Sequence, residues 1–157
     1  MLIDGLQFAR SESELSGKVD GSKLPRLSDM QCSTAEIRFN VRGGTLNSGK
    51  LGLTMLLSGQ LQLTCQRCLQ PLEHELEVKN ELELSESLET VEATDDDVDR
   101  VLASPAMDVA ALVEDEAILA LPMIPRHEQC EAASSVGIEA KKSSLFDALA
   151  ILKNRRT

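Results

Sequence analysis

Three segments in which mostly apolar residues alternate with polar ones constrain the fold of this chain more than any other feature. We call the mostly apolar positions inward, because they are expected to face a core. The inward members are Ala35, Ile37, Phe39 and Val41 in the first segment; Leu51, Leu53, Met55, Leu57, Leu61 and Leu63 in the second; and Leu72, His74, Leu76, Val78, Leu82 and Leu84 in the third. A period of two places such residues on one face of a β-strand. Residues 35–84 are therefore predicted to form an antiparallel β-meander with one wet face. Gly59 falls on the inward parity, where it predicts a bulge or bend.

In the third segment, every polar position of the alternation carries a charged residue. These residues form one row: Glu73, Glu75, Glu77, Lys79, Glu81 and Glu83. Like charges on one strand repel the edge of another sheet, so the row can protect the protein from aggregation. The same row can attract a basic partner. The sequence leaves both interpretations open.

Two segments outside the meander have weak patterns. Residues 1–30 form an N-terminal arm of ambiguous structure, in which 2–14 can form a short helix and 15–27 an irregular or extended stretch. Residues 85–107 are acidic and contain Asp95, Asp96 and Asp97 at their centre. That composition is typical of a long loop or a partly disordered segment.

The C-terminal third carries helical patterns. Asp108 is a suitable N-cap for a helix from Val109 to about Leu121, and the prolines that follow at 122 and 125 would end it. A last helix is predicted over about 144–154, with Leu145, Leu149 and Leu152 on one side and a basic tail at its end.

The length of 157 residues and an apolar content of 42% fit one domain with one core. The predicted architecture is α+β, an antiparallel β-meander with C-terminal helices packed on one face. Its parts are an N-terminal arm (1–30), the β-meander (35–84), an acidic loop (85–107) and a helical C-terminal part with a basic tail (108–157).

The net charge of −10 is distributed unevenly. Residues 72–116 contain sixteen acids against Lys79 and Arg100, which gives −14, so the rest of the chain carries +4. The tail from 141 to 157 has five bases against Asp147. RNA binding depends on Lys and Arg and on stacking aromatics, yet the chain has three Phe, no Trp and no Tyr. Broad RNA binding by the acidic body is therefore disfavoured.

The sequence contains no run of about 18 apolar residues and no basic-then-apolar start. We therefore expect no membrane span, no signal peptide and a cytoplasmic location. The four cysteines should then stay reduced, which leaves metal binding, redox chemistry or burial as their roles.

Cys65 and Cys68 form a Cys-x2-Cys pair at the predicted hairpin tip, where a turn can present two thiolates to a tetrahedral zinc ion. His127 and Cys130 form a second half-site and would complete a Cys3His set. The 58 residues between the halves far exceed the roughly 15–20 of a compact zinc ribbon. The sequence thus predicts a candidate zinc site, against the alternative of four side chains without a metal.

Other candidate chemistry has less support. A redox role for Cys65 would need a helix N-terminus, whereas strands flank it here. The inward position of His74 favours a hydrogen-bonded core imidazole, and Cys32 is most simply a small buried hydrophobe. No phosphate-binding glycine loop or nucleophile elbow is present, so no catalytic residue is predicted.

Glu114, Asp115 and Glu116 cluster on the predicted helix that follows Asp108. Paired carboxylates can serve as acid and base or hold Mg²⁺. Successive helical residues turn by about 100°, so three consecutive acids fan around the axis. A solvated face with at most one inward acid is therefore expected.

Three motifs occur in order along the chain: residues 63–68 (LTCQRC) with Pro71; residues 113–122 (VEDEAILALP) with Pro125, His127 and Cys130; and residues 146–149 (FDAL) with Leu152-Lys153. In these motifs the chain resembles the YceD family, whose members are described as large ribosomal RNA subunit accumulation proteins. It departs from the family at Ser144-Leu145, where Asn-Pro is usual, and it lacks further cysteines that many relatives carry near the C-terminal half-site.

The resemblance implies a role in 23S rRNA accumulation and large ribosomal subunit assembly, with a metal site and no established catalytic activity. We therefore expect a non-enzymatic factor whose acidic surface binds basic ribosomal or assembly proteins, with 23S rRNA or its precursor as a further partner. The alternatives are a metal-dependent or thiol enzyme acting on RNA and a small RNA-binding module that uses the basic tail.

Overall fold

The computed structural model describes residues 1–92 and 98–130. The elements, in chain order, are β1 (Leu2–Ile3), α1 (Gly5–Arg10), β2 (Glu14–Asp20), α2 (Pro25–Asp29), β3 (Ser33–Thr45), β4 (Leu51–Thr64), β5 (Pro71–Ser85), α3 (Leu88–Glu92), β6 (Arg100–Leu102), β7 (Met107–Asp108) and α4 (Val109–Leu119). This mixture of strands and helices confirms the α+β class.

The main sheet has five strands in the order β2-β3-β4-β5-β6. Strands β2 to β5 are antiparallel to their neighbours, whereas β6 pairs with β5 in parallel. The three alternating segments form β3, β4 and β5, so the predicted meander is confirmed. Strands β1 and β7 form a separate two-stranded sheet.

The core lies on one face of this sheet. Each strand of the meander contributes buried side chains from its inward positions, among them Ile37, Leu57 and Leu76. The helices contribute Ala9 from α1, Leu27 from α2 and a group from α4 (Val109, Val113 and Ala117) to the same cluster. Each fully buried Leu or Ile stabilises the fold by about 1.5–3 kcal/mol. The predicted packing of a C-terminal helix on one face is confirmed for α4.

The sheet has a bulge next to Gly59, where the sequence predicts a bulge or bend. Gly59 lies opposite Ile37 and Leu61 opposite Thr34, so two residues of β3 face one residue of β4. The extra residue is thus in β3 rather than in β4. A Cβ atom at Gly59 would lie 3.2 Å from the carbonyl oxygen of Glu36, so the bulge leaves little room there.

Strand β2 lies in the segment that the sequence left ambiguous. Its inward residues include Leu15, which pairs with Val41, and Gly17, which pairs with Phe39. A Cβ atom at Gly17 would lie 2.9 Å from the Phe39 ring, so the glycine provides space for that ring. Because a glycine occupies an inward position, the alternation of this strand is hard to recognise from sequence.

The segment 85–107 contains regular structure that was not expected. Helix α3 and strand β6 lie within it, and strand β7 begins at its last residue, Met107. These elements are short and charged, so a hydrophobic period does not reveal them. Asp95, Asp96 and Asp97 lie outside the described residues, as do the predicted helix at 144–154 and the basic tail.

Helix α4 begins and ends close to the prediction. The Asp108 side chain accepts a hydrogen bond from the backbone N–H of Ala110 at 3.1 Å, which confirms the N-cap. The helix ends at Leu119, and Ala120 is its C-cap, two residues before Pro122. Among the residues that the structure describes, no helix is long and apolar enough to cross a membrane.

The acidic cluster of α4 is more buried than expected. Glu114 is 4% exposed and Glu116 is 5% exposed. Glu114 faces α2, where Arg26 binds it, and Glu116 accepts a hydrogen bond from Asn80 of β5 at 2.9 Å. The expectation of at most one inward acid is therefore wrong, because neighbouring elements cover two sides of the helix.

Candidate metal centre

The hairpin between β4 and β5 ends in a tight turn at residues 65–70. The backbone N–H of Cys65 donates to the carbonyl of Gln70 at 2.9 Å, and the N–H of Leu69 donates to the carbonyl of Cys65 at 2.9 Å. Leu69 has a φ of 60°, a left-handed conformation that is uncommon for residues other than glycine. These hydrogen bonds fix the backbone that carries Cys65 and Cys68.

The segment after α4 is hydrogen-bonded to this turn. The N–H of Gln66 donates to the carbonyl of Pro125 at 2.8 Å, and Arg67 Nη2 donates to the carbonyl of His127 at 3.1 Å. The His127 ring contacts the Pro71 carbonyl at 3.0 Å. The two half-sites therefore meet although 58 residues separate them in the sequence.

The four predicted ligands form one cluster. The ligand atoms of Cys65, Cys68, His127 and Cys130 lie within 4.8 Å of one another. Cys65 Sγ is 3.7 Å from Cys130 Sγ, and Cys68 Sγ is 3.3 Å from His127 Nδ1. Zn–S and Zn–N bonds of about 2.3 and 2.0 Å at tetrahedral angles give S–S and S–N separations of about 3.8 and 3.5 Å. The donor set therefore fits one tetrahedral ion.

The hydrogen bond from His127 to Pro71 sets the tautomer of the neutral ring. A carbonyl oxygen only accepts, so Nε2 must carry the hydrogen and donate it over the observed 3.0 Å. The lone pair of the neutral imidazole then lies on Nδ1, the atom that faces Cys68. Histidine ligands in proteins are commonly oriented in this way by a backbone carbonyl.

The environment of Cys65 favours its thiolate. Burial of the sulfur acts to raise the pKa, but hydrogen bonds from the backbone amides of Cys68, His127 and Arg67 outweigh it and lower the pKa to about 5. For Cys68, a backbone hydrogen bond from Gln70 lowers the pKa, yet burial and the neighbouring sulfurs raise it overall. Thiolates this close repel one another, and a bound divalent cation would reduce that repulsion.

Arg67 adds a fixed positive charge beside the cluster. Its Nε donates to Cys130 Sγ at 3.0 Å, and this hydrogen bond raises the pKa of the guanidinium. Three thiolates around a divalent ion leave one net negative charge, which the guanidinium can offset. Arg67 is therefore the positively charged neighbour of the candidate site, a position that its place between the two cysteines does not by itself predict.

The other sequence candidates lie apart from the cluster. Cys32 is 1% exposed, and burial raises the pKa of its thiol, in agreement with the prediction of a small buried hydrophobe. His74 is half-buried on the inward parity of β5. Glu114 and Glu116 face different elements, α2 and β5, so they do not form a joint carboxylate site.

An apolar groove adjoins the cluster. It has a volume of about 620 Å³ and is lined in part by Leu63, Ile118 and Pro125. Several of its apolar side chains are strongly exposed, in particular Met123 at 99% and Leu119 at 77%. The end of α4 and the cysteine turn therefore share one apolar surface.

The structure defines an α+β protein with a candidate structural metal centre that joins a hairpin tip to the segment after its last described helix. The family model described as "Large ribosomal RNA subunit accumulation protein YceD" matches residues 53–153. The chain belongs to the YceD family. The matched region contains both half-sites of the cluster as well as β5 and α4. No solved structure shows a significant match.

Proposed function

We propose that this chain is a non-enzymatic factor that supports 23S rRNA accumulation and large ribosomal subunit assembly by binding basic protein partners through β5. The family description supports the first half of this proposal. The arrangement of charge on β5 supports the second half. We call the exposed glutamates of that strand the acidic column; they are Glu73, Glu75, Glu77 and Glu81.

The acidic column has little compensating charge, since Lys79 is the only basic residue in its row on β5. Its cross-strand neighbours on β4 are uncharged, since Gln62 lies opposite Glu73 and Ser58 opposite Glu77. No side chain of the column forms an ion pair within the described part of the chain. Such a column attracts a basic surface, because its charge is not already neutralised within the protein.

Two acids elsewhere on the same face of the sheet are paired with bases. Glu36 accepts from Lys18 Nζ at 2.7 Å, and Glu14 accepts from Arg42 Nη2 at 3.1 Å. The contrast with β5 is the observation that carries the proposal. Glutamates that only protect the sheet edge from aggregation would also lie on β5. A binding experiment therefore distinguishes the proposed role in partner binding from protection of the edge.

We further propose that Cys65, Cys68, His127 and Cys130 bind one zinc ion as a structural site. Zinc there would supply a cross-link between the hairpin and the segment after α4. All four positions of a tetrahedral ion would be taken by protein ligands, whereas a catalytic zinc keeps one position open. Cys65 is fully buried, which also disfavours its use as a nucleophile.

The proposal is tested by purifying the tagged full-length protein from cells and quantifying bound ribosomal and assembly proteins. The double variant Glu75→Gln, Glu77→Gln should recover about fivefold to tenfold less of these basic proteins, because the charge that attracts them is reduced. The matched control is Glu89→Gln, Glu92→Gln, which removes the same charge from exposed positions on α3. The control should recover as much as the unmodified protein.

Two results would contradict this function. One is recovery of no ribosomal or assembly protein by the unmodified chain. The other is equal recovery by the two double variants. In a host that depends on this protein for 23S rRNA accumulation, only the β5 variant should lower the amount of 23S rRNA.

A further inference from the structure

One side of β5 is an open sheet edge over most of its length. Strand β6 pairs with β5 only at Glu83, Leu84 and Ser85. Before Glu83, no strand in the described part of the chain pairs with that side of β5. An open edge presents backbone N–H and C=O groups to which another strand can bond.

The register identifies the residues whose backbone groups face this edge. Strand β5 pairs with β4 without interruption from Pro71 to Glu83. The N–H of Glu83 donates to the carbonyl of Asp99, just before β6, at 2.9 Å, so it points to the open side. Backbone groups of every second strand residue point the same way. The open side is therefore formed by Glu73, Glu75, Glu77, Lys79 and Glu81.

One end of the edge is already closed by the protein itself. The N–H of Glu81 donates to the side-chain oxygen of Asn80 at 2.9 Å. The stretch available to another strand thus runs from Glu73 to Lys79. Because neighbouring residues in a strand rise by about 3.3 Å, this stretch is about 20 Å long, the length of an ordinary strand.

Strand β6 shows which chemistry suits a strand added at this edge. Arg100 of β6 lies directly opposite Glu83 of β5, and its Nε is 3.2 Å from the Glu83 carboxylate. Both side chains are nearly buried, at 10% and 6% exposure. Glu77, Glu75 and Glu73 continue the same row along the open stretch. A strand with basic residues at alternate positions would repeat the Arg100 pairing there.

The inner face favours an apolar residue at the other positions of such a strand. Leu72 and Val78 of β5 are only partly buried and pack against the core at this edge. A second copy of β5 is a poor occupant, because its glutamates would lie beside those of the first copy.

We propose that a basic, extended segment of a partner protein adds to β5 between Glu73 and Lys79 as a further strand of the sheet, with Lys or Arg facing the glutamates. This inference rests on the proposed function and adds the mode of binding. Strand addition takes its affinity from main-chain hydrogen bonds and its specificity from alternate side chains. Opposite Lys79, the partner carries a neutral or acidic residue.

The experiment uses the full-length protein and the nine-residue peptide Ser-Val-Lys-Val-Lys-Val-Lys-Val-Ser, which places a neutral residue opposite Lys79 in either strand direction. Hydrogen exchange should show the amides of Glu73, Glu75, Glu77 and Lys79 protected by at least about tenfold when the peptide is bound. The Glu75→Gln, Glu77→Gln variant should bind more weakly, whereas Glu89→Gln, Glu92→Gln should not.

Two isomeric peptides of identical charge separate strand addition from simple charge attraction. One is N-methylated at its four valines and the other at its three lysines and its C-terminal serine, so each lacks the four amide hydrogens along one of its sides. In either strand direction only one isomer can pair, and the other should lose at least about tenfold in affinity.

Equal affinity of the two isomers would overturn strand addition and leave attraction by the acidic column intact. Failure of the unmethylated peptide to bind would also overturn the inference, whereas the proposed function is judged separately by the purification experiment. If the four amides are already protected in the free protein, the chain itself or a second copy occupies the edge, which likewise overturns it.

Discussion

Glu114→Ala should be among the most destabilising single changes in α4. Helix α2 begins after Leu24, whose side chain cannot cap it. The Glu114 carboxylate instead accepts from the backbone N–H of Arg26 at 2.7 Å and of Leu27 at 3.3 Å, and from Arg26 Nε at 2.9 Å. Glu114 thus caps α2 from another helix while it is buried.

The expected magnitude follows from these contacts. Hydrogen bonds to a charged group contribute about 1.5–3 kcal/mol each, and loss of an N-cap costs about 0.5–2 kcal/mol. The Arg26 side chain is 49% exposed, so its own contact adds little. The two backbone bonds therefore give a loss of about 3 kcal/mol in the free energy of unfolding.

Urea unfolding measures this loss. With an m-value of about 2 kcal/mol/M, the midpoint should fall by about 1.5 M. The control is Asp115→Asn, which removes the neighbouring partner of the same arginine at a 49% exposed position and should cost less than about 1 kcal/mol. If both variants unfold within about 0.3 M of each other, the cap assigned to Glu114 is wrong.

The remaining predictions concern packing, pH and the cysteine turn. Gly43→Ala should cost about 2 kcal/mol or more in thermal unfolding, because its Cβ would lie 2.5 Å from the Phe8 carbonyl oxygen, whereas Gly44→Ala meets no atom within 4 Å and should be tolerated. Burial, and to a lesser extent Asp99 and Asp115, raises the pKa of Glu116 although Asn80 donates to it. The stability that this shift contributes is therefore lost as pH rises above the ordinary value of 4.5, so Glu116→Gln should gain stability relative to the unmodified protein between pH 4.5 and 7 in urea titrations. Arg67→Gln should weaken zinc binding by about tenfold or more in competition with a chromophoric chelator; unchanged affinity would remove Arg67 from the site.

Local pattern was sufficient to predict the meander and the cap of α4. The alternating parity of residues such as Phe39 and Met55 depends only on the strand period, and Asp108 acts on its own helix. Strand β2 was not recognised because Gly17, which makes room for Phe39, interrupts its inward pattern. The burial of Glu114 depends on α2, which lies far away in the sequence.

The residues of the candidate metal centre could be predicted, but their meeting could not. The Cys65 to Cys68 turn and the His127 to Cys130 pair are recognisable as half-sites by their spacing. What joins them is a set of backbone contacts, such as Gln66 with Pro125 and His127 with Pro71, that any residue types could make. Such contacts leave no compositional signal.

Whether the hairpin and the segment after α4 share one zinc ion is measured most directly by metal analysis of protein purified without chelators. The unmodified protein should contain one zinc ion per chain, Cys68→Ser and Cys130→Ser should each lose it, and Cys32→Ala should retain it. An unmodified protein without stoichiometric metal, or a Cys130→Ser variant that keeps its full zinc content, would contradict a single centre formed by both halves.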